Sequence, residues 1–311
     1  MKQTTSTILM IEPVAFGFNE QTAGNNYFQQ KNNAAAAVIQ QTALAEFQEM
    51  VDALRAKKVA VIVEKDTGNP HTPDSIFPNN WVSFHADGKV ALYPMYAENR
   101  RAERRLEILQ HLEEMGFHTV QVVDFTHYEQ ENRFLEGTGS MILDRTNGVA
   151  YAALSPRTDK LLFDTFCDTF GFRPFAFSAK QTIGNQRLPI YHTNVTMCVA
   201  DRYALVCLSA IDEADERTML CESLAFAGKE IIEISEQQMH RFAGNMLQIE
   251  STDGEKLLAM SDTAYQSLTI QQIQKIYNYN DVIRFAVPTI ERAGGGSVRC
   301  MMAEVFLPKI K

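Results

Sequence analysis

The feature that most constrains the fold of this chain is a repeating order of short strands and helices. Four segments share one pattern, an apolar strand, a polar turn with Asp, Asn or Gly, and a second apolar strand; they begin at Asn79, Gly137, His192 and Ala243. A helical pattern follows each hairpin, in most cases ended by a glycine, and a further strand comes after it. The repeat predicts ββαβ modules of roughly 50 to 60 residues.

The two ends of the chain complete a fifth module. Residues 294–308 supply strands beside residues 7–14, and the helix of this module is predicted near residues 34–57. Five modules predict a five-fold pseudosymmetric α/β propeller around a central channel, because closing the ring removes exposed sheet edges. No Pro/Gly/Ser linker or low-complexity tract interrupts the repeats, so residues 1–311 are expected to form one domain.

Composition argues against several classes of partner. The 38 acidic and 29 basic residues give a net charge of -9 that is spread along the chain, so no concentrated positive field is available for nucleic acid. The apolar run before Glu12 is too short for a signal peptide or a membrane span, which predicts a cytoplasmic protein that does not enter membranes.

The cysteines and histidines do not form a metal-binding pattern. The 5 cysteines include no CxxC pair, which favours reduced thiols over a disulfide framework or zinc. The histidines show no ligand spacing. We therefore expect neither a metal nor another cofactor.

Chemically reactive side chains stand at the beginnings of the hairpins. Asp74 precedes the first hairpin, Glu136 the second, His192 begins the third, and Cys300 follows a triple glycine in the fifth module. In a ring these positions would converge on the central channel. A thiol, an imidazole and carboxylates in one cleft can substitute at a planar carbon that carries nitrogen, because the thiolate attacks, the histidine moves protons and a carboxylate accepts substrate N–H groups.

Each of these residues also has a purely structural interpretation. A cysteine among apolar residues is more often a small buried hydrophobe, a lone histidine is usually a surface or satisfied core residue, and Glu136 could be a solvated turn residue. The glycines at 294–296 favour a functional Cys300, because they let the backbone approach a substrate closely and offer N–H groups. A phosphate-binding loop is a poorer interpretation, since no GK[ST] follows and the next element is a strand.

Taken together and in this order, these motifs resemble the guanidino-modifying (pentein) superfamily of arginine deiminases, dimethylarginine dimethylaminohydrolases and amidinotransferases. The resemblance to the dimethylarginine hydrolases covers most of the chain. The matching segments are Asp74–Asn80, Arg100–Glu103, Glu136–Gly139, Leu154–Asp159, His192 and Cys300. The resemblance implies that Cys300 is the nucleophile, His192 the acid/base, and Glu136 with Asp74 the ligands of the substrate nitrogens.

The resemblance also implies that Arg100 and Arg157 bind the α-carboxylate of an amino-acid substrate. Two separated arginines suit a carboxylate better than a lone lysine would. Without the family, surface salt bridges explain these arginines equally well.

Three positions depart from the relatives that bind a guanidinium. Asn79 and Asn80 stand where those relatives have acidic residues, and Asn194 stands where deiminases have an aspartate two residues after the histidine. A buried guanidinium without its carboxylate costs on the order of 3 to 5 kcal/mol, about 10² to 10³ in selectivity. A neutral ureido group fits better, because its carbonyl accepts from an asparagine NH₂ and its N–H groups donate to Glu136.

The whole sequence further resembles citrulline-utilisation hydrolases, through its NNWVSFH and GGGSVRCM segments. This implies that citrulline is hydrolysed to ornithine, carbon dioxide and ammonia through a covalent cysteine intermediate. Other hypotheses are an arginine deiminase, a dimethylarginine hydrolase or an amidinotransferase. A non-catalytic binding ring is a further one, because one ribosome anti-association factor shares the pentein fold without the chemistry. Retention of Cys300, His192 and Glu136 favours an enzyme.

Two further features concern partners and access. The expected partner is a small amino acid, citrulline or arginine-like; the sequence does not determine the oligomeric state, and a homo-oligomer is compatible with it. Residues 15–28, rich in glycine and asparagine, are predicted to form a loop over the channel.

Overall fold

The structure is a computed structural model and describes residues 1–31 and 33–309. The strands are β1 (Thr7–Glu12), β2 (Ala60–Lys65), β3 (Val82–Phe84), β4 (Lys89–Leu92), β5 (Gln121–Asp124), β6 (Ile142–Asp144), β7 (Val149–Ala153), β8 (Arg173–Phe177), β9 (Lys180–Ile183), β10 (Gln186–Pro189), β11 (Met197–Val199), β12 (Tyr203–Val206), β13 (Glu230–Glu233), β14 (Leu247–Glu250), β15 (Lys256–Ser261), β16 (Asp281–Phe285) and β17 (Ala303–Glu304). The helices are α1 (Ala36–Ala56), α2 (Glu107–Glu114), α3 (Gly137–Ser140), α4 (Lys160–Phe170), α5 (Ala214–Phe226), α6 (Glu236–Met239), α7 (Asp262–Ser267), α8 (Ile270–Tyr277) and α9 (Pro288–Gly294).

Five three-stranded sheets in the described part of the chain share one topology. In each sheet an antiparallel pair is extended by a parallel third strand, which the chain reaches through a helical connection. The strand orders are β3-β4-β5, β6-β7-β8, β11-β12-β13, β14-β15-β16 and β17-β1-β2. The last sheet joins the two ends of the chain, as the repeats predict. A separate hairpin, β9-β10, lies outside this scheme and was not predicted from the sequence.

The five sheets contact one another in sequence order. Strand β17 lies beside β3, α3 contacts β3, β6 lies beside β11, β11 beside β14, and β15 beside the turn that precedes β17. These contacts form a cycle and agree with the predicted ring of five modules.

The helices pack on the outside of this ring through one apolar face. In α1 the buried positions include Ile39, Ala43, Phe47, Met50 and Leu54, which recur every three or four residues. Burial of such a face, and not helix propensity alone, supplies most of the stability of a helix in a protein. The helices thereby fix the strands so that the beginning of each hairpin lies at the centre.

Each module begins with a short turn that precedes its first strand. Helical turns are formed by Pro78–Asn80, Gly137–Ser140, Thr193–Val195 and Val298–Met301, and a further turn covers residues 240–244. The helical turns contact their neighbours in the middle of the ring. They therefore form the floor on which the candidate site is built.

Of the helices in residues 1–31 and 33–309, none combines the length and the apolar character that crossing a membrane requires.

Candidate active site

The side chains predicted to be functional lie together at the central turns. A cavity of about 10 Å³ is lined by Asp74, Asn80, Arg100, Arg157, His192 and Cys300, together with Asn26, Phe77, Tyr191, Gly294 and Gly296. Glu136 and Asn194 lie directly behind it, in contact with His192 and Cys300 respectively. The side chain of Asn79 points away to Thr138, with Nδ2 3.4 Å from Oγ1. A volume of about 10 Å³ holds roughly one water molecule, so a substrate requires the site to open.

Cys300 is held by two asparagine amides. Its Sγ accepts hydrogen bonds from Nδ2 of Asn194 at 3.4 Å and Nδ2 of Asn245 at 3.2 Å. Asn245 is fixed in turn, because its Oδ1 accepts the backbone N–H of Arg299 at 3.1 Å and its Nδ2 also donates to the carbonyl of Asn194 at 3.0 Å. These two contacts fix the position of the Cys300 sulfur in the lining of the cavity.

His192 and Glu136 form a buried pair with Nε2 2.6 Å from Oε2. Burial lowers the pKa of His192 to about 4, although Glu136 opposes this shift. Burial also disfavours ionisation of Glu136, but Arg157, the hydrogen bond of His192 and Arg100 together lower its pKa. An ionised carboxylate only accepts hydrogen bonds, so the neutral imidazole carries its proton on Nε2 and leaves Nδ1 as a base.

The Gly-Thr-Gly stretch lets this pair pack against the first module. A Cβ at Gly139 would lie 2.4 Å from Nδ2 of Asn80 and 2.8 Å from Nδ1 of His192. Gly137 has φ +49, and a Cβ there would lie 2.3 Å from the carbonyl oxygen of Asn79. Only glycine lets the turns approach this closely.

Two polar atoms of the cavity lining have no hydrogen-bond partner in the described residues. One is Oδ1 of Asp74, an acceptor, and the other is Nδ2 of Asn80, a donor. The orientation of the Asn80 amide follows from its other contact, because its Oδ1 accepts from Nη1 of Arg100 at 3.0 Å and a guanidinium cannot accept. The cavity lining therefore contains one acceptor and one donor without a partner in the described residues.

Asp74 is held on its other oxygen. Its Oδ2 accepts from Nδ2 of Asn19 at 2.7 Å and lies 3.7 Å from Nε of Arg100. Burial raises the pKa of Asp74, and Arg100 only partly opposes this.

Arg100, predicted from the resemblance to bind the substrate carboxylate, is engaged by protein groups in this structure. Its Nε and Nη2 donate to the two carboxylate oxygens of Glu103 at 2.8 and 2.9 Å, and its Nη1 donates to Asn80. A guanidinium with these bonds orients the Asn80 amide and is not free to bind a substrate carboxylate in this conformation. Both Arg100 and Glu103 are buried, so removing either one would break a buried ion pair, which is strongly destabilising.

Arg157 is engaged by the predicted loop over the channel. Residues 15–30, which we call the covering loop, lie between β1 and α1. Nε of Arg157 donates to Oδ1 of Asn25 at 2.9 Å, and Nη2 donates to the same oxygen and to the carbonyl of Thr22 at 3.1 Å. Its Nη1 lies 3.4 Å from Oε2 of Glu136. When the covering loop moves, the bonds to Asn25 and Thr22 become available to another acceptor.

Several residues of the site were not identified from the sequence. Asn245 stands at the start of the fourth hairpin, the position that Glu136 and His192 occupy in their modules. The repeat could therefore have identified it as a candidate site residue. Glu103 closes the Arg-Arg-x-Glu segment that had been recognised for its arginines. Asn19 and Asn25 carry no local signal, because they meet Asp74 and Arg157 only after the covering loop has folded over the ring.

Two other cysteines are buried thiols. Burial raises the pKa of Cys167 and of Cys198 to about 12, which disfavours the thiolate at these two positions. The five cysteines, all within the described residues, are unpaired. In residues 1–31 and 33–309 no group of three or more His, Cys, Asp or Glu side chains is arranged to hold a metal ion.

A model of the family described as N,N dimethylarginine dimethylhydrolase, eukaryotic, matches residues 12–307. A comparison with curated proteins by sequence found no match.

Solved structures with the same fold include cyanobacterial ArgZ, described as an arginine dihydrolase from the ornithine-ammonia cycle. The apo structure of ArgZ has a TM-score of 0.72 at 18% identity, covering 98% of this chain and 41% of that chain. This chain therefore spans about two fifths of full-length ArgZ. The substrate-bound N-terminal domain of a mutant ArgZ has a TM-score of 0.70 at 18% identity, covering 97% of this chain and 99% of that domain.

A dimethylarginine dimethylaminohydrolase bound as an adduct to S-methyl-L-thiocitrulline also matches, with a TM-score of 0.62 at 15% identity and coverage of 97% of this chain and 99% of that chain. At these identities the likeness shows the fold, which confirms the pentein architecture expected from the repeats.

Proposed function

Because the chain belongs to the N,N-dimethylarginine dimethylhydrolase family, a family of hydrolases acting on carbon–nitrogen bonds other than peptide bonds, we propose that it hydrolyses the ureido carbon of citrulline. The products are ornithine, carbon dioxide and ammonia, and one water molecule is consumed. We propose Cys300 as the nucleophile and His192, paired with Glu136, as the group that moves protons. In this proposal residues 1–311 act as one catalytic domain, since all five modules supply residues to the site.

The observation that carries this proposal is the pair of unpartnered atoms in the cavity. Nδ2 of Asn80 can donate to the ureido carbonyl while Oδ1 of Asp74 accepts from a ureido N–H. A guanidinium has only donors, so it would match Asp74 and would leave the Asn80 donor facing another donor. A site built around buried polar groups discriminates strongly against a ligand that leaves them unpaired.

The proposed reaction proceeds in two stages. The Cys300 thiol, held by Asn194 and Asn245, passes its proton to His192 as the sulfur adds to the ureido carbon, and the carbonyl oxygen becomes an oxyanion that Asn80 holds. The carbon–nitrogen bond to one leaving group then breaks as that nitrogen takes this proton from His192, which gives a thiocarbamate on Cys300. Water, activated by His192, adds to this carbon, the carbon–sulfur bond breaks, and the carbamate released decomposes to carbon dioxide and an amine. Departure of ammonia first or of ornithine first gives the same products.

Arg157 is the residue we propose for the α-carboxylate of the substrate. Its Nε and Nη2 now donate to oxygens of Asn25 and Thr22 in the covering loop, and a carboxylate presents two oxygens of the same kind with a full charge. Arg100, bound to Glu103 and Asn80, is proposed to position the Asn80 amide.

A second candidate is an enzyme that begins with arginine. The observation in its favour is the pair of buried carboxylates, Asp74 and Glu136, which suits a guanidinium. ArgZ, described as an arginine dihydrolase, shares the fold. On this alternative Cys300 would first release ammonia from arginine, and citrulline would be formed in the site before its own hydrolysis.

The test is an assay for ornithine and ammonia from L-citrulline, L-arginine and dimethylarginine, with Cys300→Ala as the blank. Release of both products from citrulline alone, abolished in the variant, supports the proposal. Turnover of arginine at a comparable kcat/KM would contradict the argument from Asn80 and support the second candidate. Inactivity on all three substrates would favour amidinotransfer or a non-catalytic binding ring.

A further inference from the structure

A second and larger cavity borders the covering loop. It has a volume of about 410 Å³, which is within the range of small-molecule sites, roughly 300 to 1,000 Å³. Tyr27 and Phe28 of the covering loop form one wall, and Phe242 lies in the same lining. We refer to this space as the outer cavity. None of the residues proposed for catalysis lines it.

Two arginines without a charged partner in the described residues line the outer cavity. Arg241 and Arg292 line it and are exposed, and within the described residues neither guanidinium forms an ion pair or side-chain hydrogen bond. The one carboxylate in the lining is Glu291, whose Oε1 accepts from Oγ of Ser297 at 2.6 Å. Burial raises the pKa of Glu291 and the hydrogen bonds it accepts only partly oppose this. Two free cations against one buried, hydrogen-bonded carboxyl group favour an anionic ligand.

A buried amide in the lining lacks a partner. Gln181 is fully buried, its Oε1 lies 3.2 Å from Nε2 of His240, and its Nε2 has no hydrogen-bond partner in the described part of the chain. A buried donor without a partner loses the hydrogen bond that it makes to water in the unfolded chain, which lowers stability. A ligand in the cavity that accepts a hydrogen bond from Nε2 of Gln181 would remove this cost. This observation is independent of the two arginines and indicates an acceptor-bearing ligand as they do.

The apolar part of the lining defines the rest of the ligand. Phe28 and Phe242 have ring centroids 5.3 Å apart, and Phe28 is also 5.7 Å from His240. We propose that the outer cavity binds a small carboxylate with an apolar or aromatic body, whose charged end contacts Arg241, Arg292 and Gln181. The ring or alkyl end would pack on the aromatic wall.

The occupant would touch the loop that covers the active site. The backbone N–H of Gln30 donates to the carbonyl of Arg292 at 2.7 Å, and Phe28 packs against Tyr191, with ring centroids 6.0 Å apart, on the side of the active-site cavity. A ligand that binds the closed loop more tightly than the open loop shifts the loop toward closure. The proposed site is thus coupled to access to Cys300, whatever the substrate is.

The test uses phenylacetate as the probe and phenylacetamide as its neutral control, titrated by calorimetry. Phenylacetate is expected to bind saturably, and phenylacetamide at least about tenfold more weakly, because the amide lacks the charge that the arginines attract. In the double variant R241Q/R292Q the Kd for phenylacetate should rise by about tenfold or more, and Gln181→Leu should also weaken binding. The matched control is R173Q/R202Q, which removes two exposed arginines elsewhere and should leave the Kd unchanged.

Three results would overturn the proposal. They are no saturable binding at concentrations on the order of 10 mM, equal affinity for the acid and the amide, or binding that survives R241Q/R292Q and disappears in Arg157→Gln. The coupling has its own readout, which is slower hydrogen exchange in the covering loop on addition of phenylacetate. Unchanged exchange in a protein that binds the probe would refute the coupling. None of these measurements depends on the proposed hydrolase activity.

Discussion

At the scale of single residues, the proposed function makes Asn80 the residue that selects a ureido substrate over a guanidino substrate. Asn80→Asp keeps the acceptor for Arg100 and replaces the free donor with an oxygen. We expect kcat/KM for citrulline to fall by about 10² to 10³, since removing one donor to an oxyanion has this effect. The ratio of arginine turnover to citrulline turnover should rise. Steady-state kinetics on both substrates measures this, with Asn278→Asp at the exposed end of α8 as the charge control. Citrulline turnover within a few-fold of the parent would contradict the role of Asn80.

Asn245 is expected to act on the nucleophile and not on the substrate. Asn245→Ala removes the hydrogen bond of 3.2 Å to Sγ of Cys300. Loss of a hydrogen bond to a charged group costs about 1.5 to 3 kcal/mol, so kcat should fall roughly 10- to 100-fold while KM stays nearly constant. Alkylation of Cys300 by iodoacetamide at a fixed pH should slow in parallel. A rise in KM with unchanged alkylation would instead indicate a purely structural role.

At the scale of elements, the turn Gly137–Ser140 determines how closely the first three modules meet. Gly139→Ala would place a methyl group 2.4 Å from Nδ2 of Asn80, so the turn must move. A shift of about 1 Å in a reacting group can cost about 10² in rate, and we expect a loss of at least this size in kcat. Thermal unfolding measured beside activity separates displacement of the site from loss of the fold. Full activity in this variant would show that the turns can move apart to accept a methyl group without displacing the reacting groups.

The covering loop is expected to open before substrate binds. A cavity of about 10 Å³ cannot accommodate an amino acid, and the loop is tied down mainly by side-chain bonds to Asp74, Arg157 and the backbone near Gly294. Hydrogen exchange should be faster in residues 15–30 than in the buried strand β12, and citrulline added to the Cys300→Ala variant should slow it. Exchange as slow as in β12 without substrate would point to another route into the site.

At the scale of the whole molecule, the buried charges at the centre make stability depend on pH. The pKa of His192 is about 4 in the folded protein and 6.5 in its ordinary state, so at acidic pH the unfolded chain binds a proton that the folded chain excludes. The free energy of unfolding therefore has its full value, as far as His192 is concerned, above pH 6.5. It falls by roughly 3 kcal/mol as the pH decreases to 4. Glu136, whose pKa is lowered, acts in the same direction in more acidic solution.

The corresponding prediction compares the wild type with His192→Gln. From pH 7 to pH 4 the free energy of unfolding should fall by roughly 3 kcal/mol more in the wild type than in the variant, as measured by denaturant titration at each pH. His85 is buried and has a lowered pKa as well, but it is present in both proteins and cancels in the difference. Equal pH dependence in the two proteins would show that His192 is not buried in the neutral form.

The order of the modules, the closure of the ring by the two chain ends, and the positions of the candidate site residues at the hairpin starts could be predicted from the sequence. These features are local, because alternating apolar residues, turn residues and helix-ending glycines act on near neighbours in the chain. The family resemblance agreed with them, and the family and its fold were confirmed. The roles of Cys300, His192 and Glu136 remain predictions.

The contacts of each candidate site residue could not be predicted, because they depend on the folded chain. Asn245 meets Cys300 across 55 residues of sequence, and Asn25 meets Arg157 across 132. Such contacts exist only after the ring has closed, so no local pattern encodes them. The motif assigns Arg100 to a substrate carboxylate, and this role stays a prediction. The buried ion pair of Arg100 with Glu103 was not predicted from the sequence.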